Sequence, residues 1–298
     1  MKVINLIDQQ HGNVPYTIGT FPDGEPFFKF TEDIDRKETY NVICRVSNPT
    51  ELFRLLQVGN ILNNNQVEFS IDIFYLMSMR MDRIITFNEP FSLKLVADMI
   101  NTLNAQSVRI FHPHSDKALK LINNAVDMEE YYDNVVFPQL SVSFDTFDNL
   151  AGICFPDAGA YKRYCEDNFA SVWEQGLIVL KKKRNLNTGE IEGIEIDTER
   201  SKNLENIDQQ TTSTFIVFDD LCDAGGTFLG AHKVIKEKYP NAKIDIFIRH
   251  AVNKLGINRL ASVYDHVYIT DSYADWNPDR LPQNVFVVNL YNNFYYGK

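Results

Sequence analysis

The sequence predicts an α/β protein of two similar domains, each a parallel sheet flanked by helices. Three observations point there. Short apolar β-type runs alternate with helical periodicity along the whole chain, the pattern of layered α/β folds. This rhythm restarts after Val135-Val136-Phe137-Pro138, which puts a boundary between about 137 and 150 and gives domains 1–140 and 141–298. The length of 298 residues fits two domains of about 150 residues, each large enough for its own core.

In order, Lys2–Ile7 reads as a strand and Phe21-Pro22-Asp23-Gly24-Glu25 as a turn. Asn41–Val46 is strand-like, and Asn48-Pro49 opens an amphipathic helix over Glu51–Leu62. Val67–Leu76 alternates as a strand, Phe91–Leu103 is helical and Val108–Phe111 is extended. Ser115 is placed to cap a helix running through Ala125. Past the boundary, Ile153–Phe155 and Leu177–Leu180 read as strands, with Gly159–Ala170 mostly helix between them. Phe215–Phe218, Lys243–Ile248, Val267–Thr270 and Val285–Leu290 supply further strands.

Composition excludes several function classes. A net charge of −11 argues against nucleic acid or an anionic membrane as a partner, so an anionic substrate has to be met by local cations and a metal ion. The four cysteines include no C-x-x-C pair, as expected in a reducing cytoplasm. No 18-residue apolar run suggests a membrane span.

The chemistry concentrates at Thr214–Leu229. The apolar run Phe215–Phe218 is followed by Asp219, Asp220 and Asp223, and then by Ala224-Gly225-Gly226-Thr227 at the start of an apolar-periodic helix. Separately, an Asp-Asp after a strand and a Gly-Gly before a helix are ordinary turn and cap chemistry. In this order they form a phosphate cradle of backbone N–H groups, beside carboxylates that suit sugar hydroxyls or Mg²⁺. The stretch reads as a ribose-phosphate site. It resembles the D-D-x-x-D-T-x-G-T motif of the phosphoribosyl-diphosphate (PRPP) synthetases, within the wider group of type I phosphoribosyltransferase folds, with Ala224 at the family's Thr.

Further motifs carry the same resemblance in order. Arg80-Met81-Asp82-Arg83, followed by Pro90-Phe91-Ser92-Leu93-Lys94-Leu95-Val96-Ala97, is similar to the family's nucleotide segment Y-A-R-Q-D-R and P-x-S-x-K-L-V-A, with Met81 at the Gln. The planar fork of an arginine suits a triphosphate. His112-Pro113-His114 resembles the family's D-L-H, which implies that His114 meets the Mg-nucleotide. Pro156-Asp157-Ala158-Gly159 with Tyr161-Lys162-Arg163 matches P-D-A-G-x-x-K-R, and implies a metal- or ribose-orienting role for Asp157 beside its plain reading as a helix cap. Lys181-Lys182-Lys183-Arg184, continued by the polar 185–190, looks like the family's catalytic flexible loop K-x-R, matched to Lys182 and Arg184 with a one-position ambiguity in register. Phe21-Pro22-Asp23-Gly24-Glu25 is similar to F-S-D-G-E, a loop that reaches a neighbouring subunit's adenine. The likeness implies ATP contacts from Phe21, Asp23 and Glu25 and a homodimer or higher homo-oligomer.

The resemblance implies an Mg²⁺-dependent transfer of the β,γ-diphosphoryl group of ATP to the anomeric hydroxyl of ribose 5-phosphate. Arg80, Asp82 and His114 would bind ATP, and His114 and Asp157 would address the metal. Asp219, Asp220, Asp223 and the loop Ala224, Gly225, Gly226, Thr227 would hold the ribose phosphate, and Lys182 and Arg184 the transition state. Phage-type relatives suggest ADP-ribose as an alternative acceptor, for which the small Ala224 leaves room. A transferase that consumes PRPP and a non-catalytic regulatory paralogue stay open as other readings.

Overall fold

The computed structural model describes residues 1–128, 150–165, 176–184, 191–207 and 213–290. The chain divides into two compact units, Met1–Tyr132 and Asp133–Lys298. Each carries a largely parallel sheet, and the fold class is α/β as expected.

In the first unit, β1 (Lys2–Asn5), β4 (Tyr40–Val46), β5 (Phe69–Leu76), β6 (Ser107–Ile110) and β7 (Ala125–Asp127) form a parallel sheet in the order β1-β4-β5-β6-β7. β4 and β5 are buried nearly throughout, as the apolar runs require of strands covered on both faces. The helix Pro49–Asn64 starts where the sequence puts it. Asn48 Oδ1 accepts from Glu51 N (3.1 Å), while Glu51 Oε2 accepts from the backbone N and hydroxyl of Ser47 (2.7 Å each). A second helix spans Ser92–Asn101.

Two features of this unit were not legible as secondary structure. The turn at Phe21–Glu25 joins an antiparallel hairpin, β2 (Tyr16–Thr20) and β3 (Pro26–Phe30), held by the ring contacts of Tyr16 with Phe28 and of Phe28 with Phe30. The helix expected from Ser115 through Ala125 shortens to Lys117–Leu121. Ile122 is already extended, and Ala125–Asp127 pairs with β6 instead, because sheet hydrogen bonds to an existing strand outweigh a further, weakly amphipathic helical turn.

In the second unit the sheet order is β10-β9-β8-β11-β12-β13-β14. Its strands are β8 (Leu150–Phe155), β9 (Gly176–Arg184), β10 (Ile191–Ile196), β11 (Thr214–Cys222), β12 (Lys243–Ala251), β13 (His266–Thr270) and β14 (Val285–Val288). All neighbours are parallel except β9 and β10. The core gathers Cys154, Ile178, Val217, Ile246 and Ile269 from successive strands under Phe228, Ala231 and Ile235 of the helix Gly226–Lys238. Strand β11 lies between β8 and β12, so the C-terminal ends of three parallel strands share one edge.

The basic run departs from expectation. Lys181–Arg184 does not leave the sheet after Leu180 but continues β9, with Lys182 opposite Ile194 and Lys181 opposite Glu195. Strand β10, which sequence reading missed, supplies the backbone partners, and its isoleucines anchor it. Ile194 packs so closely on Gly230 that a Cβ there would stand 2.5 Å from Ile194 Cδ1. The 185–190 stretch read as a lid, the Val135–Pro138 run and the end of the helix expected over Gly159–Ala170 lie outside the described residues.

A buried charge network ties the first sheet together. Asp72 of β5, fully buried, accepts from Arg109 Nε (2.5 Å) and Nη2 (2.6 Å) on β6 and from Asn41 Nδ2 (2.7 Å) on β4. Arg109→Met is expected to destabilise the protein by about 3 kcal/mol in urea unfolding, because it strands the Asp72 carboxylate. Adding Asp72→Leu should recover most of that loss, since the charge needing a partner is gone.

Candidate functional site

The central site of the second unit starts with two like charges side by side. Asp219 and Asp220 lie near the C-terminal end of β11, where alternation turns one carboxylate toward the surface and the other inward. The Asp219 side chain is 14% exposed and that of Asp220 3%. Asp219 Oδ1 accepts from the backbone N of Asp220 at 2.8 Å. Arg163 Nη1 stands 2.5 Å from Asp220 Oδ2 and 4.0 Å from Asp219 Oδ1. Burial, then the neighbouring charges of Asp220 and Asp157, raises the Asp219 carboxyl well above the usual carboxylate range. Burial disfavours the Arg163 charge, yet the carboxylates more than compensate and keep it protonated.

Asp157 and Arg163 reach this point together. Asp157 follows β8, and its Oδ1 accepts from Ala160 N at 2.8 Å, capping the helix Ala158–Cys165 that carries Arg163. The cap reading of Asp157 therefore holds, and its charge also faces Asp219. Sequence reading quoted Arg163 only as part of a motif; its place against the acidic pair depends on β8 pairing with β11.

The glycine loop follows directly. Gly225 has φ +80°, a left-handed conformation that glycine adopts without strain, and it is the N-cap of the helix Gly226–Lys238 with no side-chain cap. The first N–H groups of that helix have no intrahelical partners. A Cβ at Gly226 would meet nothing within 4 Å, and Ala224 is exposed, so the loop opens outward as an anion cradle.

The helix Lys254–Ala261, absent from the sequence reading, braces this loop. Asn253 caps it through Leu255 N (2.9 Å) and donates Nδ2 to Asp223 Oδ1 (3.0 Å). At Gly256 a Cβ would fall 1.8 Å from the Asp223 carbonyl oxygen, so only glycine permits the approach. Arg259 Nη1 donates to the Ala224 carbonyl at 3.2 Å. Residues 253, 256 and 259 recur at helical spacing, a signal that sequence could have offered had this helix been recognised.

The strand carrying Lys182 belongs to the same unit, and Lys182 is exposed. Its pairing partner Ile194 contacts Gly230, one turn into the helix that begins at the glycine loop. Arg184 ends β9.

In the first unit, Arg80, Asp82 and His114 lie in loops that follow the neighbouring parallel strands β5 and β6. Met79 is buried, and its sulfur accepts from His114 N at 3.3 Å, which couples the two loops. Asp82 is turned into the protein. It accepts from Arg83 Nε (2.7 Å) and the Ser115 hydroxyl (2.8 Å), with Lys117 Nζ at 3.6 Å. Its burial disfavours the charge, but those bonds override it and lower the carboxyl to about 2. Arg80, by contrast, is exposed. Among the described residues, no hydrogen bond or ring contact of Phe21, Asp23 or Glu25 reaches Arg80, Asp82 or His114. The hairpin instead closes on itself (Phe21 N to the Glu25 carbonyl, 2.8 Å) and attaches to the helix Pro49–Asn64 through Gln57 Nε2 on the Pro26 carbonyl (3.1 Å).

For a metal, no group of three His, Cys, Asp or Glu side chains among the described residues could hold an ion alone. His114 belongs to the first unit and Asp157 to the second. The hard oxygen donors Asp157 and Asp219 suit Mg²⁺ that arrives on substrate phosphates and takes one or two protein carboxylates. Cys44, Cys154 and Cys222 are buried free thiols, and no helix among the described residues is long and apolar enough to cross a membrane.

An open glycine loop and an acidic pair thus stand at the C-terminal ends of parallel strands in an α/β fold. Comparison with known proteins agrees. The chain is 23% identical over 275 residues to a ribose-phosphate pyrophosphokinase from Mycoplasma pneumoniae, covering 90% of this chain and 79% of that protein. It is 25% identical over 277 residues to one from Thermosipho africanus, covering 92% and 82%. The crystal structure of phosphoribosylpyrophosphate synthetase from Mycobacterium smegmatis superposes with a TM-score of 0.74 at 19% identity, over 97% of this chain and 94% of that one, and shows the same fold. No protein-family model matches. The likeness to PRPP synthetases read from the motifs thus extends over most of the sequence and over the fold.

The Asp82 clasp sets a pH dependence. A carboxyl whose folded pKa lies below its unfolded value stabilises above the unfolded pKa of 3.8, and that stability is lost as pH falls through about 2. Asp82→Asn should therefore cost about 1–2 kcal/mol at pH 7, discounted because Arg83 is mostly exposed, and the difference from wild type should close between about pH 4 and pH 2 in chemical denaturation.

Proposed function

We propose that this chain is a diphosphokinase that transfers the β,γ-diphosphoryl group of Mg-ATP to the anomeric hydroxyl of ribose 5-phosphate. The observation that carries this reading is the helix N-terminus at Gly225–Gly226, which has no side-chain cap and directly follows the carboxylates of Asp219, Asp220 and Asp223. A phosphate on the loop N–H groups would leave its ribose hydroxyls within the acidic stretch. The names of the relatives support the same activity.

In the reaction the anomeric oxygen attacks the β-phosphorus in line, the bond from that phosphorus to the α-phosphate oxygen breaks, AMP leaves and the hydroxyl proton passes to solvent. Gly225, Gly226 and Thr227 hold the 5-phosphate through backbone donors and the Thr227 hydroxyl. Asp219 and Asp223 orient the ribose hydroxyls, and Asp220 anchors the pair from behind. Arg80 takes the nucleotide phosphates with His114 beside it, while Asp82 shapes the Arg80 loop through its clasp with Ser115. Lys182 and Arg184 bring cations to the charge spreading over the transferring group. Magnesium, when bound, would be held by ATP oxygens with Asp157 and would neutralise charge on the phosphates.

A second acceptor, ADP-ribose, is favoured by one observation. Ala224 is small and exposed, and the space beside Gly226 is open, so a 5-phosphate that continues into a further group can sit on the loop. ADP-ribose keeps the same free anomeric hydroxyl. A PRPP-consuming transferase would not use ATP, and a regulatory paralogue would release no AMP from it, so AMP formation from ATP with either acceptor separates all these readings.

Two results are expected. Lys182→Ala and Arg184→Ala each lower kcat by about 10²-fold with little change in the KM for ATP, and activity disappears in excess EDTA; normal kcat in both variants would remove them from the transition state. Ala224→Thr shifts the ratio of kcat/KM for the two acceptors toward ribose 5-phosphate, because a hydroxyl donor adds about 1–3 kcal/mol to a dianion and narrows the opening. An unchanged ratio would sink the argument from Ala224.

A further inference from the structure

The acidic pair at the end of β11 is not two independent carboxylates. Asp220 is buried and paired with Arg163 Nη1 at 2.5 Å, while Asp219 hooks its Oδ1 onto the backbone N of Asp220 at 2.8 Å. Arg163 therefore fixes Asp220, and the Asp220 backbone fixes the orientation of Asp219, the member of the pair nearer the surface. The guanidinium is itself 23% exposed and stands 4.0 Å from Asp219, so its close contact with the pair is the one to Asp220.

We infer that Arg163 is a positioning residue for the acceptor sugar: through Asp220 it holds the Asp219 carboxylate at the rim of the phosphate loop, and so sets affinity for the acceptor and not for ATP. This rests on the reading above in which Asp219 meets the ribose hydroxyls. A group that only held its own helix in place would behave differently, and the helix Ala158–Cys165 has other anchors. Asp157 caps it, Ala160 and Tyr164 are buried, and the Tyr164 ring stacks on Phe155 (5.6 Å, 14°) with the Arg249 guanidinium 4.7 Å from the Tyr164 ring centre. The aliphatic part of a methionine can fill the space of Arg163 while removing only its charge and its N–H donors.

The test uses Arg163→Met, Arg163→Lys, Asp220→Asn and the double variant Arg163→Met/Asp220→Asn in the full chain. Steady-state constants are measured for ATP and for ribose 5-phosphate, together with calorimetric binding of ribose 5-phosphate without ATP. Arg163→Met should raise both the KM and the Kd for ribose 5-phosphate by about tenfold or more, with the KM for ATP within about twofold. Arg163→Lys should recover part of the loss. The double variant should be no worse than the worse single one, since both changes cut one link. Should Arg163→Met not fold, the double variant, which leaves no unpaired charge of this pair, and Arg163→Lys carry the comparison.

Losses that multiply in the double variant, equal rises in both KM values, or an unchanged acceptor KM in Arg163→Met would each overturn the assignment. A wild type that forms no AMP, but whose ribose 5-phosphate binding weakens in Arg163→Met, overturns the diphosphokinase reading and keeps Arg163. An active wild type with acceptor constants unaltered in Arg163→Met overturns Arg163 alone. A wild type that neither binds nor reacts overturns both.

Discussion

Two adjacent carboxylates at the end of a buried strand repel each other and resist desolvation, and the second unit is built around holding them there. Burial and mutual repulsion push Asp219 toward its protonated form, while Arg163 keeps Asp220 charged at almost no solvent exposure. Such a pair is stable only while its counter-charge is held, and the counter-charge comes from a helix that Asp157 caps. In the proposed reaction a sugar with vicinal hydroxyls would suit this arrangement, because hydroxyls donate to carboxylate oxygens.

The glycine loop depends on a second constraint, the close approach of the helix Lys254–Ala261. Gly256 lets the helix backbone come against Asp223, Asn253 fixes the Asp223 side chain, and Arg259 holds the Ala224 carbonyl. With the backbone of residues 223–225 pinned on one side, the helix N-terminus at Gly226 is left open on the other. In the proposed reaction, rigid backing and an open face together would let the N–H groups meet an anion without reorganisation.

In the first unit, charge is spent differently. Asp82 is consumed inside the protein by Arg83 and Ser115, and Asp72 by Arg109 and Asn41. Both carboxylates are structural clasps, and Arg80, in the loop that carries Asp82, is exposed. The residues Ile84, Ile85 and Phe87 that follow are exposed as well, while Asp82 and Met79 tie the loop to Ser115 and His114.

The sequence alone determined most strands of the two sheets, β7 and β10 excepted, because a run of four to eight apolar residues bounded by turn formers is buried wherever the sheet places it. It also determined the glycine loop with its acidic neighbours, since all of that chemistry lies within sixteen consecutive residues, Thr214 to Leu229. Tertiary structure decided the rest. Whether Lys181–Arg184 is strand or loop depended on pairing with β10, which charge patterning cannot weigh, and the Ser115 helix lost its end to the edge of β6. Arg163, Asn253 and Arg259 reach the site only because β8 and β12 pair on either side of β11. That neighbourhood is a long-range choice of the sheet, made by packing over the whole unit, and no local pattern in the chain encodes it.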